Sequence, residues 1–139
     1  MDILIVGGTG NISWRLTEAA IKAGWHVTLL NRGGHDRKRR ATPTRCDTII
    51  SDINNQAMTE RALGSRRFDV VVDFVCYNAQ QAQRAVSYFR VKASQHRGSS
   101  STARYDRSVA KAPFTEDAAL VTGGWGYARA KAAAERVFS

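Results

Sequence analysis

Two cysteines, two prolines and two methionines in 139 residues exclude several classes of protein. Cys46 and Cys76 are too few for a disulfide scaffold, and no cysteine or histidine spacing matches a metal site. His26, His35 and His96 are scattered and read as surface or satisfied histidines. No apolar run approaches the roughly 20 residues of a membrane-spanning helix. The first residues enter a strand pattern, with none of the basic and apolar regions of a secretory signal. A cytoplasmic protein with no membrane partner is expected.

Acidic residues are also scarce. Twelve Asp and Glu stand against 21 Lys and Arg, a formal net charge of +9. Such a balance attracts polyanions, whether cofactor phosphates or RNA. Two clusters carry much of it: Arg32, Arg37, Lys38, Arg39, Arg40 and Arg45, then Arg90, Lys92, Arg97, Arg104 and Arg107. Most of these side chains read as solvated loop residues. The rest of the composition, 43% hydrophobic and 24% charged, is that of a globular chain. Its length suits one domain over residues 1–139 with a core of its own.

What the chain does have is concentrated at its start. Ile3 to Val6 is a short apolar run, as a strand buried on both faces should be. Gly7, Gly8, Thr9, Gly10 and Asn11 follow at once. Ile12, Leu16, Ala19, Ala20 and Ala23 then recur at helical spacing, and Gly24 stands at the expected helix end. A strand, a glycine turn and a helix N-terminus make a pyrophosphate site. Glycines let the backbone approach, while free N–H groups and the helix dipole favour negative charge. The pattern is Gly7-x-x-Gly10-x-x-Ser13, with a small serine in place of a third glycine. A purely structural glycine turn would share the pattern; the flanking strand and helix favour binding.

Strands and helices then alternate. His26 to Leu30 reads as a second strand ending at Asn31-Arg32, residues 33 to 45 as an exposed loop, and Thr48-Ile49-Ile50 as a third strand ending at Ser51-Asp52. A helix over Asn54–Leu63 is closed by Gly64. Val70 to Val75 is a fourth strand, and Ala79 to Phe89 a helix. This order predicts a parallel sheet covered on both faces. Residues 91–102 break the rule. Ala93-Ser94-Gln95-His96-Arg97-Gly98 has no apolar alternation, and a central strand of these residues would bury unpaired polar groups. A missing or very short fifth strand, or a segment altered by a frame slip, is expected there. Pro113 to Asp117 reads as loop, and an alanine-rich helix opens near Trp125.

On that last helix Tyr127 and Lys131 are four apart, on one face, roughly 5–6 Å apart at Cβ. A lysine ammonium beside a phenol favours the phenolate, which suits a general acid or base. Alone the pair is a weak signal. Joined to the Gly7-x-x-Gly10 start, with Ser99-Ser100-Ser101-Thr102 between them, it is a stronger one.

These motifs together resemble the extended and atypical short-chain dehydrogenase/reductases, the NAD-dependent epimerase/dehydratase group. Within it the chain is similar to the branch that includes stem-loop RNA-binding proteins, through Gly7-Gly8-Thr9-Gly10-Asn11-Ile12-Ser13 and Asn31-Arg32-Gly33. The resemblance implies an α/β fold, a Rossmann-type doubly wound parallel sheet with helices on both faces, incomplete at its C-terminal side. It implies a catalytic set of Ser101, with Thr102 as neighbour candidate, Tyr127 exchanging a proton with substrate, and Lys131 holding the nicotinamide ribose. It implies cofactor contacts from Gly7, Thr9, Gly10, Asn11, Ile12, Asn31, Arg32, Asp52, Phe74 and Val75. Asp52 reads equally as a helix N-cap residue, and Cys76 as packing. NAD enzymes carry an acid after the second strand; Asn31-Arg32 stands there instead, which favours NADP over NAD. In relatives a C-terminal lobe builds the pocket for the small-molecule substrate, so little turnover is expected from these residues alone. A non-catalytic nucleotide- or RNA-binding protein of the same fold is the alternative.

Overall fold

A computed structural model describes residues 1–33, 41–109, 112–121 and 123–138. Arg37, Lys38, Arg39 and Arg40 of the first basic cluster, and His35, lie outside the described residues. The elements are β1 (Asp2–Val6), α1 (Ser13–Lys22), β2 (His26–Asn31), β3 (Asp47–Ile50), α2 (Gln56–Leu63), β4 (Phe68–Asp73), α3 (Ala79–Phe89), β5 (Ala93–Gly98), a short 3-10 turn at Thr102–Arg104, and α4 (Gly126–Phe138). The strands form one sheet in the order β3-β2-β1-β4-β5. Every pairing is parallel, with Ile3 opposite both Val27 and Val70.

β1 is central, and its apolar run is buried on both faces. Leu4 and Val6 pack with Leu63, Phe68, Val71 and Phe89 under α2 and α3. Ile3 and Ile5 pack with Val27, Leu29 and Ala20 under α1. Each of the larger side chains among them contributes about 1.5–3 kcal/mol on leaving water. The doubly covered parallel sheet expected from the sequence is present.

Three expectations need correction. β5 forms in full and pairs with β4 from Phe68↔Ala93 to Asp73↔Gly98. It stands at the sheet edge with β4 alone as partner among the described residues, so Gln95 and Arg97 point to solvent. The cost foreseen falls on one residue of the strand alone among those described: His96 Nε2 is buried without a hydrogen-bond partner. His96 is held between the Phe89 and Phe138 rings, edge to face, at 5.1 and 5.0 Å. Gly98 lies against Phe138, where a Cβ would come within 2.5 Å of the ring.

The second correction concerns α1. It buries Ser13, Thr17 and Ala20, while Ile12 is 77% exposed and Ala19 and Ala23 face water. The hydroxyls can be buried because each bonds to the backbone. Thr17 Oγ1 donates to Gly8 O at 3.0 Å or Ser13 O at 3.1 Å. The fourth strand also ends two residues early, which leaves Phe74 and Val75 beyond its carboxyl end.

Candidate dinucleotide-binding site

The strand order reverses between β1 and β4, and a crevice opens at their carboxyl ends, where open parallel sheets bind ligands. Gly7 leaves β1 with φ +79°, and a Cβ there would meet Val75 Cγ1 at 2.6 Å. Only glycine fits this place. Ser13, the departure from a third glycine, clamps the turn. Its hydroxyl donates to Gly7 O at 2.6 Å and accepts from the Gly10 N–H at 3.0 Å. The N-cap of α1, Ile12, makes no side-chain cap. The helix start therefore faces the crevice with its dipole uncovered.

The crevice has two chambers. The first, about 150 Å³, is lined by Asn31, Arg32, Asn54 and Gln81 among others. The second, about 380 Å³, runs past Thr9, Gly10, Asn11, Ile12 and Phe74. It continues to Ser101, Tyr127 and Lys131. Gly7, Val75 and Tyr77 line both. The structure thus gathers every site residue expected from the sequence except Asp52, which lines neither chamber.

Asn31 is buried, and its Oδ1 has no hydrogen-bond partner among the described residues. A buried acceptor left unpaired costs about 1–3 kcal/mol. A ligand hydroxyl would satisfy it, so these residues fit the ribose of a dinucleotide. Asp52 turns its Oδ1 to the N–H and side-chain amide of Asn54, at 2.9 and 3.0 Å. The Asn54 N–H, then its side-chain amide and the charges of Arg32 and Arg84, hold the carboxyl below its ordinary range against some burial. Asn55, not Asp52, caps α2, accepting the Met58 N–H at 3.1 Å.

At the far end, Ser101 Oγ accepts the Ala103 N–H at 3.2 Å. Tyr127 is exposed on the first turn of α4, its ring 5.0 Å from that of Trp125. Lys131 is 4% exposed. Its ammonium donates to the carbonyls of Cys76 and Ser99, each at 2.8 Å, and lies 5.1 Å from the centre of the Tyr77 ring. Four-residue spacing puts Tyr127 and Lys131 on one wall, yet the lysine bonds to main chain. Burial pushes the Cys76 thiol up to about 11, which suits packing.

Three residues here were missed by sequence reasoning. Asp73 ends β4 and is buried, and desolvation raises its carboxyl above the ordinary range. A polar residue closing a valine run was the available signal. Tyr77 lies between the chambers. Glu135, one turn beyond Lys131, accepts from Ser100 Oγ at 3.0 Å and pairs with Arg104.

The sequence model of the NAD dependent epimerase/dehydratase family matches residues 3–139. The chain belongs to that family. No curated protein matches this epimerase/dehydratase family member. Solved structures do. One is a dTDP-glucose 4,6-dehydratase from Bacillus anthracis in complex with NAD: 17% identity, TM-score 0.79, over 99% of this chain and 49% of that one. Another is WbmG from Bordetella bronchiseptica with NAD and UDP: 19%, TM-score 0.80, over 99% and 49%. A third is UDP-glucose 4-epimerase from Bifidobacterium longum with NAD+ and UDP: 16%, TM-score 0.80, over 99% and 48%. At these identities the likeness shows the fold. The family member spans about half the length of these relatives. Among its described residues no helix is long and apolar enough to cross a membrane.

Proposed function

We propose that this family member binds NADP and forms the cofactor-holding part of an epimerase, dehydratase or reductase acting at a hydroxyl or carbonyl carbon of a nucleotide sugar. One observation carries the reading. A single crevice joins Asn31 and Arg32 at one end to Ser101, Tyr127 and Lys131 at the other, with the glycine turn between. That succession of groups suits a dinucleotide laid end to end. Solved relatives bound to NAD with UDP or UDP-glucose support the substrate class.

The dinucleotide would supply the hydride-accepting ring. The α1 N-terminus and the glycine turn would face its pyrophosphate. Asn31 Oδ1 would accept from a ribose hydroxyl. Arg32, with no acid beside it on the chain, would pair with a 2′-phosphate. Tyr127, at the open mouth, would exchange the proton of the substrate hydroxyl, and Ser101 Oγ would hold the same oxygen. An ammonium has three N–H donors. Lys131 places two on carbonyls, which leaves one for the nicotinamide ribose.

Titration with NADPH and NADH tests the cofactor. NADPH should bind more tightly. Arg32→Ala should cost NADPH about 1.5–3 kcal/mol, roughly ten- to a hundredfold in Kd, and leave NADH nearly unchanged. Equal affinities, or no loss in the variant, would remove the 2′-phosphate assignment. Binding of neither would remove the dinucleotide reading itself.

A further inference from the structure

We propose that Asp73 is a positioning residue: its carboxylate fixes the turn through Val75, Cys76 and Tyr77, and through that turn sets Lys131 and the wall shared by both chambers. The effect on ligand binding rests on the dinucleotide reading; the placement of Lys131 does not.

Asp73 is 2% exposed. A carboxylate taken out of water is costly unless hydrogen bonds replace the solvent. They come from the chain just past the strand. Oδ1 accepts the Val75 N–H at 2.8 Å, and the Cys76 N–H also stabilises the charge. The last sheet contact on this segment is Phe74 N–H to Val6 O, at 3.1 Å. Beyond it β1 offers no further acceptor, and the Asp73 carboxylate takes over that role. An apolar side chain, as the valine run would otherwise supply, would leave two N–H groups unpaired and the turn free to rotate.

The turn matters because of what its carbonyls hold. Cys76 O and Ser99 O are the two acceptors of Lys131. Ser99 is fixed in turn, its N–H donating to Asp73 O at 2.8 Å. The ends of β4 and β5 and the middle of α4 are thus closed into one ring of bonds that starts and finishes on Asp73. Tyr77 follows directly. Its N–H donates to Gln81 Oε1 at 2.7 Å, and its ring faces the Lys131 ammonium. Val75 and Tyr77 are also wall residues of both chambers. One buried carboxylate therefore governs the joint of the crevice and the cation inside it.

Lysine labelling read by mass spectrometry follows Lys131 without any ligand. In the unaltered chain Lys131 should react much more slowly than the exposed Lys22. Asp73→Ala should raise its labelling about tenfold, leave Lys22 unchanged, and weaken NADPH binding by about as much. Asp73→Asn keeps an oxygen acceptor at the same reach and should restore most of both. An Ala variant with Lys131 still protected, or an Asn variant as damaged as Ala, would overturn the assignment. Should the Ala variant not fold, amide exchange in the unaltered chain decides. Slow exchange at Val75 and Cys76 supports the anchor, and exchange as fast as an exposed amide overturns it. If the unaltered chain binds no NADPH, the cofactor reading fails and the labelling still judges Asp73.

Discussion

At Gly10 a side chain would crowd the hydroxyl that closes the glycine turn. A Cβ there would sit 3.2 Å from Ser13 Oγ, the hydroxyl that closes the turn. Gly10→Val should open that clamp and fill the second chamber. Dinucleotide affinity should fall at least about a hundredfold, as expected when backbone can no longer approach phosphate. Circular dichroism should stay that of the folded chain. Normal binding by the folded variant would make the motif structural alone. Residues such as Gly7, Gly10 and Ser13 were legible because they act within one contiguous turn. Asn31 and Arg32 were legible from their place at a strand end. Lys131 was legible by spacing, but its partners were not. The carbonyls of Cys76 and Ser99 carry no side-chain signature, and they meet the lysine only through the fold. Glu135 was hidden for the same reason, since Ser100 and Arg104 lie far from it in sequence.

Among the elements, β5 departs furthest from its sequence expectation. Its composition argues against a buried strand, and the argument holds for a central one. Among the described residues β5 has β4 alone as partner and keeps Gln95 and Arg97 wet, so only His96 Nε2 of the strand is buried unpaired. Strand order depends on the whole chain, so a local pattern could not reveal it. Gly98 shows what the same composition achieves. Glycine inside a strand often marks a close approach, and here the Phe138 ring of α4 takes the space a Cβ would fill. Gly98→Ala should push that ring away and cost about 1–3 kcal/mol, a typical overpacking penalty. Denaturant melts would read the loss. Phe138→Leu in the same chain should recover much of it, since the smaller side chain admits the methyl. If the two changes merely add, the contact is not the cause.

For the whole molecule, two histidines set opposite limits on stability with pH. Burial between aromatic rings lowers His96 from 6.5 to about 4. Above pH 6.5 neither folded nor unfolded chain protonates it. As pH falls toward 4 the unfolded chain takes a proton that the folded chain refuses, and stability is lost. His26 behaves the other way. It bridges Asp2 and Asp47 at 2.8 and 3.0 Å, and the Asp2 hydrogen bond above all raises its pKa. Its contribution is complete below pH 6.5 and disappears as pH rises through the raised value. Melting temperature against pH should therefore show an acid limb that His96→Leu flattens and that His26→Ala leaves in place. An acid limb unchanged by His96→Leu would assign it to other groups.

The central position of β1 has a kinetic consequence. β1 pairs with β2, near it in sequence, and with the distant β4, and the Asp2–Asp69 bond beside the second ladder spans 67 residues. Loop closure of that length must precede the contacts that reward it, so refolding should belong to the slow, non-local class. Until β4 docks, the glycine turn hangs from a strand covered on one edge only. The glycine turn of Gly7 to Ser13, although contiguous in sequence, should therefore reach its final shape only after β4 has docked.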